Sequence, residues 1–189
     1  GEWGAHTFAQ AQMGIGQGDM LVSPLQAANM VAAIANGGTL YRPQIIEKIT
    51  SVDGAVLKQF EPEVLHKVPV SQETLQALKD GMELVVRDQR GTAYTRFTGL
   101  RTPIFGKTGT ATTSIEDPHS WFAGFTDANN PQKPDIAVAV ILENAGDGSV
   151  YAAPVFRRVI EAYFTGEISR YYWWETDYYV TRTPEPDTE

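Results

Sequence analysis

Apolar positions follow a helical period in some stretches of this chain and a two-residue period in others. After Ser23, the residues Leu25, Ala28, Val31, Ala32 and Ala35 recur at helical spacing. Ser23 suits the N-cap, Pro24 the first helical position, and Gln26 completes a capping box by reaching back to the cap's amide. Asn36-Gly37-Gly38 stops the run, and the alanines predict close packing against another element. Leu40 to Phe60 reads as extended, with Ile45, Ile46, Ile49 and Val52 as strand formers. Asp53-Gly54 gives a two-residue hairpin signal before Val56-Leu57. Pro62 and Pro69 mark loops. Ser71 caps a second helix through about Val86, with Leu75, Leu78, Met82 and Val85 as its apolar stripe. Arg87 to Thr102 is polar, contains Gly91 and Gly99, and reads as a loop.

The shorter period then takes over. Phe105 to Ala111 is strand-compatible, and a turn-rich segment, Thr112 to Pro118, follows it. Trp121, Ala123 and Phe125 share one face of the next strand, which assigns Trp121 and Phe125 to the core. Asp127 to Pro134 is a polar turn, and Ile136 to Leu142 reads as a strand buried on both faces. Short connections favour an antiparallel meander. Pro154 opens a final helix with Val155, Val159, Ile160 and Tyr163 at helical spacing, and Gly166 ends it. Helices, then sheet, then helix define an α+β class, an antiparallel sheet flanked by helices.

Both ends of the chain are different. Gly1 to Met20 is glycine-rich and reads as a flexible connector. Gly14-x-Gly16 is no dinucleotide fingerprint, because Asp19 takes the third glycine's place and no apolar strand precedes it. The expected division is one domain over 1–165 and an aromatic, acidic tail over 166–189. In that tail Tyr171-Tyr172-Trp173-Trp174 and Tyr178-Tyr179 are expected to dock on the chain's own body rather than stack on sugar rings. Thr183 to Glu189 reads as disordered.

Composition narrows the function. With 189 residues, 42% of them hydrophobic, one real core is possible and a second domain is not expected. A net charge of -8 argues against nucleic acid or an anionic membrane surface as partner. The absence of cysteine removes disulfides, thiol nucleophiles and thiolate metal sites together. His6, His66 and His119 lie too far apart for a local metal motif, so neither a metal nor a cofactor is expected. No stretch is long and apolar enough to span a bilayer. The chain begins at Gly1 without a signal peptide or initiator methionine, and the expectation is an excised piece whose anchor was removed.

The candidate chemistry sits in Phe105-Gly106-Lys107-Thr108-Gly109-Thr110-Ala111. As a strand it sends Lys107 and Gly109 to one side and Thr108 and Thr110 to the other. A cation, two hydroxyls and a bare glycine backbone suit an extended anionic peptide laid along a strand edge. A phosphate-binding P-loop ending at Gly106-Lys107-Thr108 is excluded, because Arg101 stands where its first glycine belongs.

Five motifs stand in order along the chain: Gly16-Gln17-Gly18, Ser23-Pro24-Leu25-Gln26, Asn36-Gly37-Gly38, Gly106-Lys107-Thr108-Gly109-Thr110-Ala111 and Trp121-Phe122-Ala123-Gly124-Phe125. Taken together they resemble the second half of a penicillin-binding protein transpeptidase domain, the fold shared with serine β-lactamases. Lys-Thr-Gly is one of three motifs of that family. The other two, Ser-x-x-Lys and Ser-x-Asn, are missing: no serine here is followed three residues later by lysine. In the family both lie N-terminal to the stretch that begins this chain, so the resemblance implies truncation and an absent nucleophile.

The resemblance implies a class B-like peptidoglycan D,D-transpeptidase acting through a serine acyl-enzyme, on the extracytoplasmic side of the membrane, anchored only through an absent N-terminus. Lys107 would assist proton transfer and bind the substrate's carboxylate, and Thr108 and Thr110 would hydrogen-bond that carboxylate. The Thr110 N–H would be one oxyanion-hole donor, and Gly109 would let the peptide approach. Its partners would be a peptidoglycan stem peptide, β-lactams and the missing N-terminal half of the domain. Alternatives on the same fold are a non-catalytic β-lactam sensor or scaffold, and a D,D-carboxypeptidase. Without its other half, the Ile136 to Leu142 strand should keep an open edge and the alanine-rich helix should expose apolar surface. This piece alone is expected to be inactive, with the stable species containing the missing portion.

Overall fold

Three antiparallel strands, β5 (Ile104–Ala111), β6 (His119–Thr126) and β7 (Ala137–Leu142), form the main sheet in the order β5-β6-β7. The computed structural model describes residues 2–18, 20–112, 117–172, 174 and 175. The expectations for the turn around residues 113–116 and for the tail's Trp173 and residues 176–189 lie outside them. Before the sheet come α1 (Glu2–Gly14), α2 (Pro24–Ala35), β1 (Thr39–Tyr41), β2 (Lys48–Thr50), β3 (Val56–Gln59), β4 (Val64–Lys67), α3 (Gln72–Arg87) and α4 (Tyr94–Phe97). After it comes α5 (Ala152–Phe164). Helices lie on both faces of an antiparallel sheet, so the class is α+β as expected.

Residue alternation in β6 decides which helix packs where. Phe122 faces α5 and is fully buried, 4.7 Å from the Phe156 ring and 5.2 Å from Phe97. Ile104, Ile160 and Val86 complete that core. Burying each such side chain contributes roughly 1.5–3 kcal/mol. On the opposite face Phe105 stacks on Phe125 at 5.0 Å, and Val31 of α2 and Met82 of α3 close over them. Phe125 is thus a core residue, whereas Trp121 is only half-buried; the deeper face of β6 is that of Phe122.

The capping box at Ser23 forms as the sequence predicts, with Gln26 N–H donating to Ser23 Oγ at 3.2 Å and Ser23 N–H to Gln26 Oε1 at 2.8 Å. Ser71 caps α3, its Oγ accepting from Thr74 N–H at 3.1 Å, without a reciprocal bond from a glutamine or glutamate. Several further expectations are corrected. Residues Glu2–Gly14 are helical, not a connector: Ala5, Ala9, Gln10, Ala11 and Gln12 are good helix formers, and the glycines serve to end the helix. The β2–β3 hairpin has a three-residue loop rather than two. Gly54 N–H donates to Ser51 O, Ser51 N–H donates to Ala55 O, and Gly54 sits at φ +88 as the bulge residue. The loop after α3 contains α4, whose Phe97 is buried. Finally, β7 is half-buried throughout, because among the described residues nothing pairs with its outer edge. That edge is the open one expected. In α3, Leu78 of the expected stripe is 46% exposed and Val86 takes its place in the core.

Of the aromatic tail, Tyr172 docks on the body. Arg158 and Arg170 lie over its ring at 5.3 and 5.6 Å, and Trp174 stacks on it at 4.9 Å.

Candidate active site

β5 is an edge strand among the described residues, so half of its backbone groups face away from the sheet. The phase of the ladder identifies them. Thr126 N–H donates to Ile136 O, so Thr126 faces the β7 side and alternation turns Gly124, Phe122 and Ser120 the same way. Phe125, Ala123 and Trp121 then face β5, where they pair with Phe105, Lys107 and Gly109. Gly106, Thr108 and Thr110 are left with their N–H and C=O groups pointing outward. Two contacts agree: Lys107 Nζ donates to Thr108 O at 2.7 Å, and Gln17 Nε2 donates to Thr110 O at 2.9 Å.

The expected site residues therefore collect on this edge. Lys107 is exposed, and none of the ion pairs among the described residues includes it. Its ammonium folds back onto the Thr108 carbonyl beside a groove of about 400 Å³, lined also by Gly81, Leu84, Val85, Asp88 and Thr92. The Thr108 and Thr92 hydroxyls are 2.8 Å apart; one donates, which leaves the other's proton for a ligand. Thr110 is exposed, and its Oγ1 accepts from Gly148 N–H at 3.4 Å. A second cleft, of about 340 Å³, passes from Ile15 and Met20 over Gly109 and Trp121 to Ile141.

Glycines let neighbouring groups pack closely against this strand. At Gly106 a Cβ would lie 2.4 Å from the Phe122 ring, and at Gly148 it would lie 2.3 Å from Gly109 O. At Gly109 the nearest atom would be Trp121 Cβ at 3.0 Å, tight but on the cleft side. Gly148 lies flat on the strands because Ser120, fully buried, donates to Asp147 O at 3.0 Å and accepts from Ala152 N–H at 3.0 Å. Next to it, hydrogen bonds from Ser149 hold the Asp147 carboxyl below its ordinary range against the opposing effect of burial. At the far end of the cleft His119 Nδ1 accepts from Asn144 N–H at 3.0 Å, which leaves the ring's proton on Nε2 when it is neutral.

Two contributors are not visible in the residue pattern. Thr92 comes from the stretch read as a loop, with nothing in sequence to pair it with Thr108. Gln17 stands inside a motif, Gly16-Gln17-Gly18, that carries no role until its contact with β5 is seen. Among the described residues no cluster of histidines and carboxylates could hold a metal ion, and no helix is long and apolar enough to cross a membrane.

β5 carries Lys-Thr-Gly at the edge of the sheet with α3 packed against it, while α5 and α2 cover opposite faces of β6 and β7. Residues 2–161 match the family model for the penicillin binding protein transpeptidase domain, and the chain belongs to that family. Peptidoglycan D,D-transpeptidase MrdA of Haemophilus influenzae is 32% identical over 168 residues, covering 80% of this chain and 25% of that protein. PbpA of Mycolicibacterium smegmatis is 35% identical over 159 residues, covering 78% and 30%. Among solved structures, the imipenem acyl-enzyme of penicillin-binding protein A from M. tuberculosis matches with TM-score 0.66 and 33% identity, over 80% of this chain and 33% of that one. A peptidoglycan synthase complex that coordinates polymerization and crosslinking matches with TM-score 0.71 and 30% identity, over 90% and 29%. The chain thus spans 25% to 30% of these two curated relatives' length.

Proposed function

We propose that the protein carrying this chain is a peptidoglycan D,D-transpeptidase and that residues Lys107 to Thr110 form the carboxylate-binding and oxyanion half of its site. The observation that supports this most is the outward Thr110 N–H on the outer edge of β5, which also presents Lys107 and two threonine hydroxyls. The class B relatives and the β-lactam acyl-enzyme neighbour make the same reading the economical one.

On this reading a stem peptide ending in D-alanyl-D-alanine lies along β5. Its terminal carboxylate meets Lys107 and the Thr108 and Thr110 hydroxyls, contacts made roughly twice as strong by charge as neutral ones. A serine from the part of the domain outside this chain attacks the penultimate carbonyl carbon. Negative charge then builds on the carbonyl oxygen, which the Thr110 N–H receives together with the N–H of the serine itself. Each such donor lowers the barrier by about 3 kcal/mol. The terminal D-alanine leaves with a proton on its amine, and an amine of a neighbouring stem then takes the acyl group from serine. The proton the serine gives up is the one the leaving amine takes, and a proton of the acceptor amine later returns to the serine; Lys107, next to Thr108, keeps a positive charge beside the carboxylate and assists these transfers. A β-lactam enters as a mimic of the same dipeptide. The site works on the extracytoplasmic side of the membrane, with the anchor outside this chain, and the 189 residues alone do not turn over substrate.

Labelling the longer protein with fluorescent penicillin, with and without Lys107→Ala, tests the assignment. The variant is expected to lose at least about tenfold in labelling rate. A variant that labels like the parent removes Lys107 from the site.

A further inference from the structure

Resting on the site reading above, we infer that Gln17 is a positioning residue for the end of β5. Its side-chain amide takes the place of a neighbouring strand there, holds the Thr110 peptide in register, and sets where a bound peptide must leave the edge.

The local fold delivers Gln17 to that place. Helix α1 ends in a Schellman turn: Gly16 N–H donates to Met13 O at 3.0 Å and Gln17 N–H to Gln12 O at 2.9 Å. Gly16, at φ +77, is the left-handed residue such a turn needs, and Gly18, at φ +94, turns the chain away again. Only Gln17 between them carries a side chain, and it is aimed at β5. Its amide has a donor and an acceptor on one rigid plane, as a backbone peptide has. Nε2 donates to Thr110 O at 2.9 Å and to Thr112 Oγ1 at 3.2 Å, and Oε1 accepts from Thr112 N–H at 3.3 Å. An outward carbonyl and the outward N–H two residues on are thus both satisfied, as the next strand of a sheet would satisfy them.

Two consequences follow for the site. The Thr110 carbonyl and the Thr110 N–H point to the same side, so fixing one fixes the direction of the other, the proposed oxyanion donor. And because Thr110 O is already taken, a peptide laid on the edge can pair no further along β5 than the Thr110 N–H. Gln17 touches no reacting atom; it acts through Thr110.

The test compares Gln17→Ala and Gln17→Glu in the longer protein with the parent and Lys107→Ala. Glutamate keeps an acceptor for Thr112 N–H but has no donor for Thr110 O. Stopped-flow acylation by a penicillin gives the noncovalent dissociation constant and the acylation rate constant separately. Amide hydrogen exchange reads the Thr112 N–H directly, and melting temperature reports overall fold. Expected is an acylation rate constant lower by about tenfold in both variants, short of the hundredfold or more for outright loss of a donor. The dissociation constant should stay within about twofold, because the carboxylate contacts are untouched. Thr112 exchange should accelerate in Gln17→Ala while the core amides keep their protection. Unchanged acylation in both variants overturns the inference, as does unchanged exchange at Thr112 or an equal fall in binding and rate. An unchanged rate in Lys107→Ala removes the site reading instead, and the Thr112 exchange then still decides whether Gln17 holds the strand.

Discussion

Gly106 shows what a single hydrogen atom in place of a methyl does for this site. Its missing Cβ leaves room for the Phe122 ring, which crosses under β5 at the point where the strand turns toward Lys107. Gly106→Ala should force that ring or the strand to move, a loss of about 1–3 kcal/mol in unfolding free energy measured by urea denaturation. An unaltered midpoint would mean that the ring is free to yield. Gly148→Ala is expected to be worse, since the atoms in its way, Gly109 O and Trp121 O, are backbone. None of this was legible in sequence, because which glycine faces which aromatic depends on cross-strand register. The alternation of Lys107 and Gly109 against Thr108 and Thr110 was legible, because it needs only the two-residue period of a strand. The hydroxyl partner Thr92 was not, since sixteen residues and a short helix separate it from Thr108.

Among the elements, α5 departs most from its apolar pattern. Spacing identifies Val155, Val159, Ile160 and Tyr163, yet Val159 is 38% exposed while Arg157 and Glu161 are buried. Charged residues are read as solvent-facing by default. What draws these inward is the end of α4: Arg157 donates to Arg96 O at 2.8 Å and Thr98 O at 3.0 Å, and its Nε meets Glu161 at 2.8 Å. Arg158 and Ser169 also reach Glu161, so the helix, the loop before β5 and the start of the tail are tied at one carboxylate. Glu161→Gln should cost about 3–5 kcal/mol, because it leaves Arg157 buried without its counter-charge. Burial works against the Glu161 carboxylate, but hydrogen bonds from Ser169 and Arg157 and the nearby guanidinium charges outweigh it and hold its pKa below the ordinary 4.5. Its stabilising contribution is therefore complete above that ordinary value and is lost as pH falls through the lowered one. Melting temperature followed from about pH 6 to about pH 3 should fall less steeply in Glu161→Gln than in the parent. Parallel curves would place the acid sensitivity elsewhere. At the other extreme, α2 was legible almost to the residue, because its cap, first-turn proline and glycine stop are all local signals. Helix α1 is masked in the sequence because the glycines that end it, Gly14, Gly16 and Gly18, read equally as a flexible stretch.

For the molecule as a whole, the antiparallel meander follows from short connections, and the uncovered surfaces fall where the family resemblance implies them, on the β7 edge and on α2. Leu25 and Met30 of α2 are 60% and 57% exposed, and an apolar groove of about 490 Å³ between α2 and α3 includes Met30, Leu40 and Leu75. On the proposed function, these surfaces and the outer edge of β7 await the other half of the domain. The 189 residues expressed alone should therefore self-associate, and size exclusion with light scattering should show oligomers or aggregate at micromolar concentration. A folded monomer in that experiment would mean that these faces need no partner.

The most direct test of the central claim, that the outer edge of β5 binds the carboxylate and receives the oxyanion, is a crystal structure of the longer protein acylated by a penicillin. The account predicts the ligand carboxylate within hydrogen-bond reach of the Thr108 and Thr110 hydroxyls and Lys107, with the acyl oxygen on the Thr110 N–H. A covalent adduct whose carboxylate points away from β5, or whose acyl oxygen rests on other donors, would contradict it.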